Sequence, residues 1–130
     1  MNVLVALGFL QHEFHQRVAS WVRTLASRGV PELATCSITE LGFVRVIAQA
    51  PQYGFTIAHA RTLLLRVKTG NSLKFTFITD DHDVSQIPAW VKTAKQITDG
   101  HLVQLAKAKN AILATLDEKI PGAFLIPTQR

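Results

Sequence analysis

The sequence has a single cysteine, Cys36, so no disulfide can form within the chain. This scarcity fits a reducing cytoplasm, where disulfides rarely persist. Long hydrophobic runs are also missing, since no stretch approaches the roughly 18 apolar residues that a membrane helix needs. The apolar opening at residues 3–10 lacks a basic start and a small-residue cleavage site. We therefore interpret it as part of the fold and not as a signal peptide.

Several catalytic signatures are absent as well. The sequence has no glycine-rich phosphate loop, no Cys-x-x-Cys pair and no His-Glu-x-x-His zinc helix. His12 and His15 stand three residues apart, but no third metal ligand is obvious, and both fit the polar face of an amphipathic helix. Cys36 has no evident activating partner and suits the role of a small buried filler.

Acidic residues are the minority among the charged ones. Nine Asp and Glu stand against fourteen Lys and Arg, which gives a formal net charge of +5. A basic surface favours polyanions, and nucleic acid is the commonest polyanion in a cytoplasm. The 130 residues, 48% of them hydrophobic, predict one globular domain spanning residues 1–130 with a core of its own.

Helical periodicity alternates along the chain with short apolar segments. The pattern predicts helices at residues 13–27, 37–50, 57–69 and 98–110, a short helix at 88–94, and strands at 33–35, 75–78, 111–116 and 124–126. It also permits a first strand at residues 2–7. This alternation indicates a three-layer α/β domain with a central parallel sheet flanked by helices. In such sheets, functional sites form beyond the carboxyl ends of the strands.

Two aspartates are predicted to meet at that edge. Asp99 stands at the start of a predicted helix of about twelve residues, which travels about 18 Å. Asp117 ends a predicted strand of about six residues, which travels about 20 Å back. Because the two lengths nearly cancel, we expect Asp117 to return to the edge where Asp99 lies.

Glu40 lies in the first turn of another helix that follows a strand, so the same topology predicts it at this edge. Three neighbouring carboxylates raise each other's pKa values, and a cation removes that repulsion. Oxygen ligands suit Mg²⁺ or Mn²⁺ better than zinc. Each acid also has a structural alternative. Asp99 favours the positive end of a helix dipole, Ser37 to Glu40 matches a capping box, and Asp117 can cap a turn.

Five stretches of the chain resemble the PIN-domain ribonucleases of the VapC toxin type. Residues 96–106 are similar to the "TDAYLLALA" helix of that family, with Gly100 and His101 in place of Ala and Tyr. Residues 111–117 resemble its "LATLD" strand, and residues 35–46 resemble its "TSPITELGFVRV" helix start. Residues 77–81 and 2–7 resemble the segment before the variable loop and the "DxNVLVAL" opening. The likeness covers nearly the whole chain, and residues 98–117 are its most specific part.

The resemblance implies a metal-dependent endoribonuclease, the toxin of a toxin–antitoxin pair. Asp99, Asp117 and Glu40 would hold Mg²⁺ or Mn²⁺ and be catalytic, although many members place the glutamate where this chain has Gly42. Thr98, Thr115 and Asn2 would orient the carboxylates or a water, and Arg45 and Lys119 would hold the RNA backbone. The implied partners are RNA (tRNA or rRNA), a cognate antitoxin and a second copy of the chain, with no membrane.

The family's opening motif places an aspartate two residues before the position of Asn2, which falls ahead of Met1. We therefore expect that the natural start lies upstream, that the first strand is missing from this chain, and that residues 2–10 begin a helix. The alternative is a catalytically inactive PIN-like module that binds RNA or an antitoxin. The 130-residue chain would then be inactive for lack of the first acid.

Overall fold

The computed structural model describes residues 2–8, 12–70 and 73–128. The chain divides into two compact units, one of Met1–Thr79 with Pro127–Arg130 and one of Asp80–Ile126. The helices of the described residues are α1 (Asn2–Gly8), α2 (His15–Ala26), α3 (Ser37–Gln49), α4 (Ile57–Thr69) and α5 (Ile97–Ala108). The strands are β1 (Glu32–Cys36), β2 (Lys74–Ile78), β3 (Ala114–Thr115) and β4 (Phe124–Leu125).

The first unit combines a parallel strand pair with packed helices. β1 and β2 run parallel, with Glu32 opposite Lys74 and Cys36 opposite Ile78. Helices α1, α3 and α4 contact one another, and their apolar faces bury a common core. The buried members of this core are Leu4, Val5, Phe43, Ile47, Ala60 and Leu64.

Local signals fix where α3 and α4 begin. The amide of Cys36 donates to Thr39 Oγ1 at 2.9 Å, as part of a capping box that starts α3 directly after β1. Pro51 follows the end of α3, and Gly54 takes a left-handed conformation with φ of 62°. The Thr56 hydroxyl then accepts the amide of His59 at 3.1 Å and caps α4.

The second unit places a helix before a short parallel strand pair. Helix α5 ends near Asn110, whose φ of 57° reverses the chain, and the amide of Ala111 donates to the Ala106 carbonyl at 2.8 Å. β3 then pairs in parallel with β4, and the amide of Ile126 donates to the Thr115 carbonyl at 2.9 Å.

The structure confirms the predicted α/β class with parallel strands and flanking helices. The expectation that residues 2–10 begin a helix is confirmed over residues 2–8, which form α1, whereas residues 9 and 10 lie outside the described residues. The strand that the apolar pattern also permits at residues 2–7 is wrong, because the consecutive Leu4, Val5 and Ala6 of α1 are buried among neighbouring helices. The helix at residues 88–94 is also wrong. Residues 88–91 form a turn, and the Gln96 side chain accepts the Thr93 amide, which starts a short 3₁₀ turn instead.

The strand predicted at residues 111–116 is shorter than expected, because its partner offers only Phe124 and Leu125 for pairing. The prediction of one domain over residues 1–130 stays a prediction. No helix among the described residues is long and apolar enough to cross a membrane.

Candidate functional site

Asp99 lies in the first turn of α5, where the helix dipole favours a negative charge. Its side chain is half-buried, while the neighbouring Gly100 is fully covered. A Cβ atom on Gly100 would lie 2.3 Å from Cγ2 of Val91 and 3.4 Å from Cδ of Pro88. Only a glycine lets this turn approach the 88–91 segment so closely, and this contact fixes the backbone that carries Asp99.

Asp117 follows β3 and is held in a local network of hydrogen bonds. Its amide donates to the hydroxyl of Thr115 at 3.0 Å, and its Oδ1 accepts the amide of Lys119 at 2.9 Å. Thr115 is only 9% exposed, so its hydroxyl is a fixed acceptor. Asp117 is exposed, so a ligand from solvent can reach its carboxylate.

The second unit brings Asp99 and Asp117 close enough to interact electrostatically. Burial raises the pKa of the Asp99 carboxyl above its ordinary value, and the negative charge of Asp117 raises it further. Two acids that repel each other, one at a helix start and one after a strand, do not stabilise the fold as a pair, because neither neutralises the other. Such a pair is suited to binding a cation.

Glu40 lies in the first unit and does not cap α3. The capping box starts one residue earlier than Ser37, with Thr39 in the role predicted for Glu40. The Glu40 carboxylate instead accepts the hydroxyl of Thr35 at 2.5 Å and pairs with Lys68 at 2.6 Å. The side chains of Lys68 and Glu40 are 21% and 22% exposed, so this ion pair is largely shielded from water.

The remaining predicted residues differ in how the structure places them. Thr98 is exposed in the first turn of α5, and Lys119 is exposed beside Asp117. Arg45 is exposed on α3, where it lines an apolar groove between α3 and the start of α4. The side chain of Asn2 lies outside the described residues. Within the described ranges, no group of three or more His, Cys, Asp or Glu side chains is arranged to hold a metal.

Three residues near the predicted acids escaped the sequence analysis. Lys68 reaches Glu40 from 28 residues away, and a basic residue near the end of α4 gives no local signal of that contact. Asp80 and His101 form a hydrogen-bonded pair within the second unit. The one sequence signal for the Asp80–His101 pair is that His101 stands only two residues after the predicted site residue Asp99.

Comparisons with known proteins identify close relatives over most of the chain. Ribonuclease VapC44 of Mycobacterium tuberculosis is 36% identical over 132 residues, covering 95% of this chain and 90% of the relative. Ribonuclease VapC38 of the same organism is 34% identical over 136 residues, covering 100% of this chain and 89% of the relative. Ribonuclease VapC29 is 32% identical, covering 98% and 93%. No family model matches the chain.

Proposed function

Because the chain belongs to the VapC family of PIN-domain ribonucleases, we propose that it is an endoribonuclease that hydrolyses RNA phosphodiester bonds as the toxin of a toxin–antitoxin pair. The observation that carries this proposal is the pairing of Asp99 and Asp117 in one unit, with the charge of Asp117 raising the pKa of Asp99. Metal-dependent hydrolysis of a phosphodiester uses neighbouring acids to bind a divalent cation.

The donor chemistry of this acid pair fits Mg²⁺ or Mn²⁺. Both side chains offer oxygen ligands, and Mg²⁺ in enzymes is commonly held by one or two carboxylates together with waters and substrate phosphates. A cation between Asp99 and Asp117 would remove the repulsion that raises the Asp99 pKa. When bound, it would supply an activated water and stabilise the leaving oxygen.

The chain's own residues would orient this site. Thr115 holds the backbone amide of Asp117, and the Lys119 amide fixes one carboxylate oxygen, so the other oxygen is presented in a defined direction. Thr98 is exposed in the same turn as Asp99 and is available to bind a water. From the resemblance, Asn2 and Glu40 are further site residues in this proposal, with Glu40 as a third acidic ligand.

The substrate and partners of the proposed enzyme follow from charge and family. A net charge of +5 favours binding of a polyanion, and the exposed side chains of Arg45 and Lys119 are available to contact phosphates. We propose tRNA or rRNA as the substrate class, a cognate antitoxin as the inhibitor and a homodimer as the assembly. The cytoplasm is the proposed location, because these RNA substrates are there.

Cleavage of single-stranded RNA with Mg²⁺, with Mn²⁺ and with EDTA tests the proposed function. We expect cleavage only with metal, and a loss of at least 100-fold in Asp99→Asn. Glu118→Gln is the matched control, because Glu118 is an exposed acid directly beside Asp117, and it should cleave like the parent chain. Metal-independent cleavage, or an equal loss in both variants, would contradict the metal role of Asp99.

The same assay should include a version extended by the upstream in-frame codons, because the resemblance places one further acid ahead of Asn2. We expect the extended version to cleave faster than the 130-residue chain. If neither version cleaves RNA while both still bind it in a salt-dependent manner, the inactive binding module becomes the better interpretation.

A further inference from the structure

The pair formed by Asp80 and His101 lies within the same unit as the acid pair but is not one of its members. Oδ2 of Asp80 contacts Nε2 of His101, and Oδ1 of Asp80 accepts the backbone amide of His82 at 3.0 Å. The side chains of Asp80 and His101 are only 17% and 15% exposed. Both oxygens of the Asp80 carboxylate thus have partners, which fixes the orientation of this side chain.

We propose that Asp80 is a positioning residue, which holds the first turn of α5 through His101 and thereby sets the direction of the Asp99 carboxylate. This inference rests on the proposed function, since it assigns a role in the orientation of one of its acids. His101 lies two residues after Asp99, within one turn of the same helix, so fixing one side chain restrains the backbone of the other.

The turn that carries Asp99 is restrained by two separate contacts. Gly100 packs against Val91 and Pro88 with no room for a Cβ atom, which limits how the turn can move toward that segment. Asp80 holds the next residue, His101, through a hydrogen bond. The packing of Gly100 limits only how closely the helix end approaches the 88–91 segment. The hydrogen bond of His101 adds a second fixed point on the adjacent residue, so the helix end is also restrained from rotating.

A second contact along α5 supports this role of the loop. Lys109, eight residues after His101, lies with Nζ 3.6 Å from Oδ1 of Asp81. Lys109 is the residue that follows the last residue of α5, so the adjacent residues Asp80 and Asp81 contact two different parts of this helix and its C-cap. The Asp81 side chain is 73% exposed, and its contact with Lys109 is therefore worth little. The shielded contact between Asp80 and His101 is the one expected to set the position of the helix.

The ionisation of Asp80 is consistent with this assignment. The hydrogen bond from His101 lowers the pKa of the Asp80 carboxyl, with the amide of His82 contributing in the same direction. The carboxylate is therefore charged at neutral pH and accepts both bonds. An asparagine of the same shape can preserve both contacts, because its oxygen accepts the His82 amide while its NH₂ donates to the other tautomer of His101.

Three substitutions separate positioning from folding. Asp80→Ala removes both contacts, Asp80→Asn keeps them without the charge, and Asp81→Ala is the matched control at the neighbouring acid. Each variant is measured for kcat in RNA cleavage, for Mn²⁺ affinity by calorimetry and for thermal unfolding. We expect Asp80→Ala to lower kcat and Mn²⁺ affinity by about 10-fold or more. Asp80→Asn and Asp81→Ala should stay within about threefold of the parent chain.

Two results would overturn the proposal. One is a folded Asp80→Ala variant with parental kcat and Mn²⁺ affinity, and the other is an Asp80→Asn variant as impaired as Asp80→Ala. If Asp80→Ala does not fold, His101→Gln, which keeps a hydrogen-bonding group, is compared with His101→Leu, and equal losses in these two would also refute positioning. If neither the parent chain nor its extended version cleaves RNA, the proposed function fails, while Mn²⁺ affinity still decides whether Asp80 orients Asp99.

Discussion

The hydroxyl of Thr115 is the side-chain group through which the fold most directly orients an acid of the proposed site. It accepts the Asp117 amide at 3.0 Å, and the residue is 9% exposed. Thr115→Val replaces this hydroxyl by a methyl group of nearly the same size, so the packing is kept and the acceptor is lost. The expected cost is about 1 kcal/mol, the usual net value of one neutral hydrogen bond.

Thr115→Ser makes the complementary change. It keeps the hydroxyl and deletes a buried methyl group, which also costs about 1 kcal/mol. For a chain of 130 residues, each substitution should lower the melting temperature by about 4 °C. The two variants are therefore matched in stability and differ in whether the amide of Asp117 retains its partner.

RNA cleavage should separate the two variants. We expect Thr115→Val to lose about 10-fold or more in kcat, because a residue that orients a metal ligand typically contributes this much. Thr115→Ser should stay within about threefold of the parent chain. Equal activities in two folded variants of equal stability would refute the inference that Thr115 positions Asp117.

Three further predictions concern the other contacts of the site. Lys68→Met should destabilise the protein by about 1–2 kcal/mol, because it leaves the shielded Glu40 carboxylate without its cation. A double-mutant cycle with Glu40→Gln, measured by urea unfolding, should give a coupling energy of at least about 0.5 kcal/mol between the two side chains. A coupling energy of zero would contradict a stabilising ion pair. Asp99→Asn should stabilise the metal-free protein at pH 7, because the raised pKa of Asp99 makes the folded state lose stability as pH rises. Thermal melts should show this gain disappearing below about pH 4, and a gain independent of pH would refute this cause. Gly100→Ala should lower the free energy of unfolding by about 1–2 kcal/mol, because the added Cβ atom overlaps the side chain of Val91. Combining it with Val91→Ala should recover part of that loss, and a double variant that recovers nothing would contradict this steric cause.

Much of the fold was predictable because local sequence and burial agree. Helix α4 has the predicted bounds of residues 57–69, since Thr56 caps its start and Gly70 follows its end. By contrast, α1 is an apolar run covered by neighbouring helices, and such a run shows no periodicity that separates helix from strand. The length of β3 depends on β4, ten residues later, and no local pattern encodes the number of paired residues.

In the candidate site, too, some features follow from local sequence and others depend on distant residues. The opposing lengths of α5 and a strand of about six residues predicted that Asp99 and Asp117 approach each other. The strand has only two residues, and the raised pKa of Asp99, to which the charge of Asp117 contributes, is consistent with their proximity. The environment of Glu40 could not be predicted, because it depends on Lys68 and on a capping box displaced by one residue. The roles of all three acids as metal ligands stay predictions that mutagenesis must decide.

The most direct test of the proposed site is single-turnover cleavage of an end-labelled, single-stranded RNA over a titration of Mn²⁺, with the parent chain and Asp117→Asn compared side by side. We expect the parent rate to rise with Mn²⁺ and saturate, and we expect Asp117→Asn to lose at least 100-fold at saturation while remaining folded. An Asp117→Asn variant that cleaves at the parental rate, or a parental rate unaffected by Mn²⁺ and EDTA, would contradict the assignment of this acid pair.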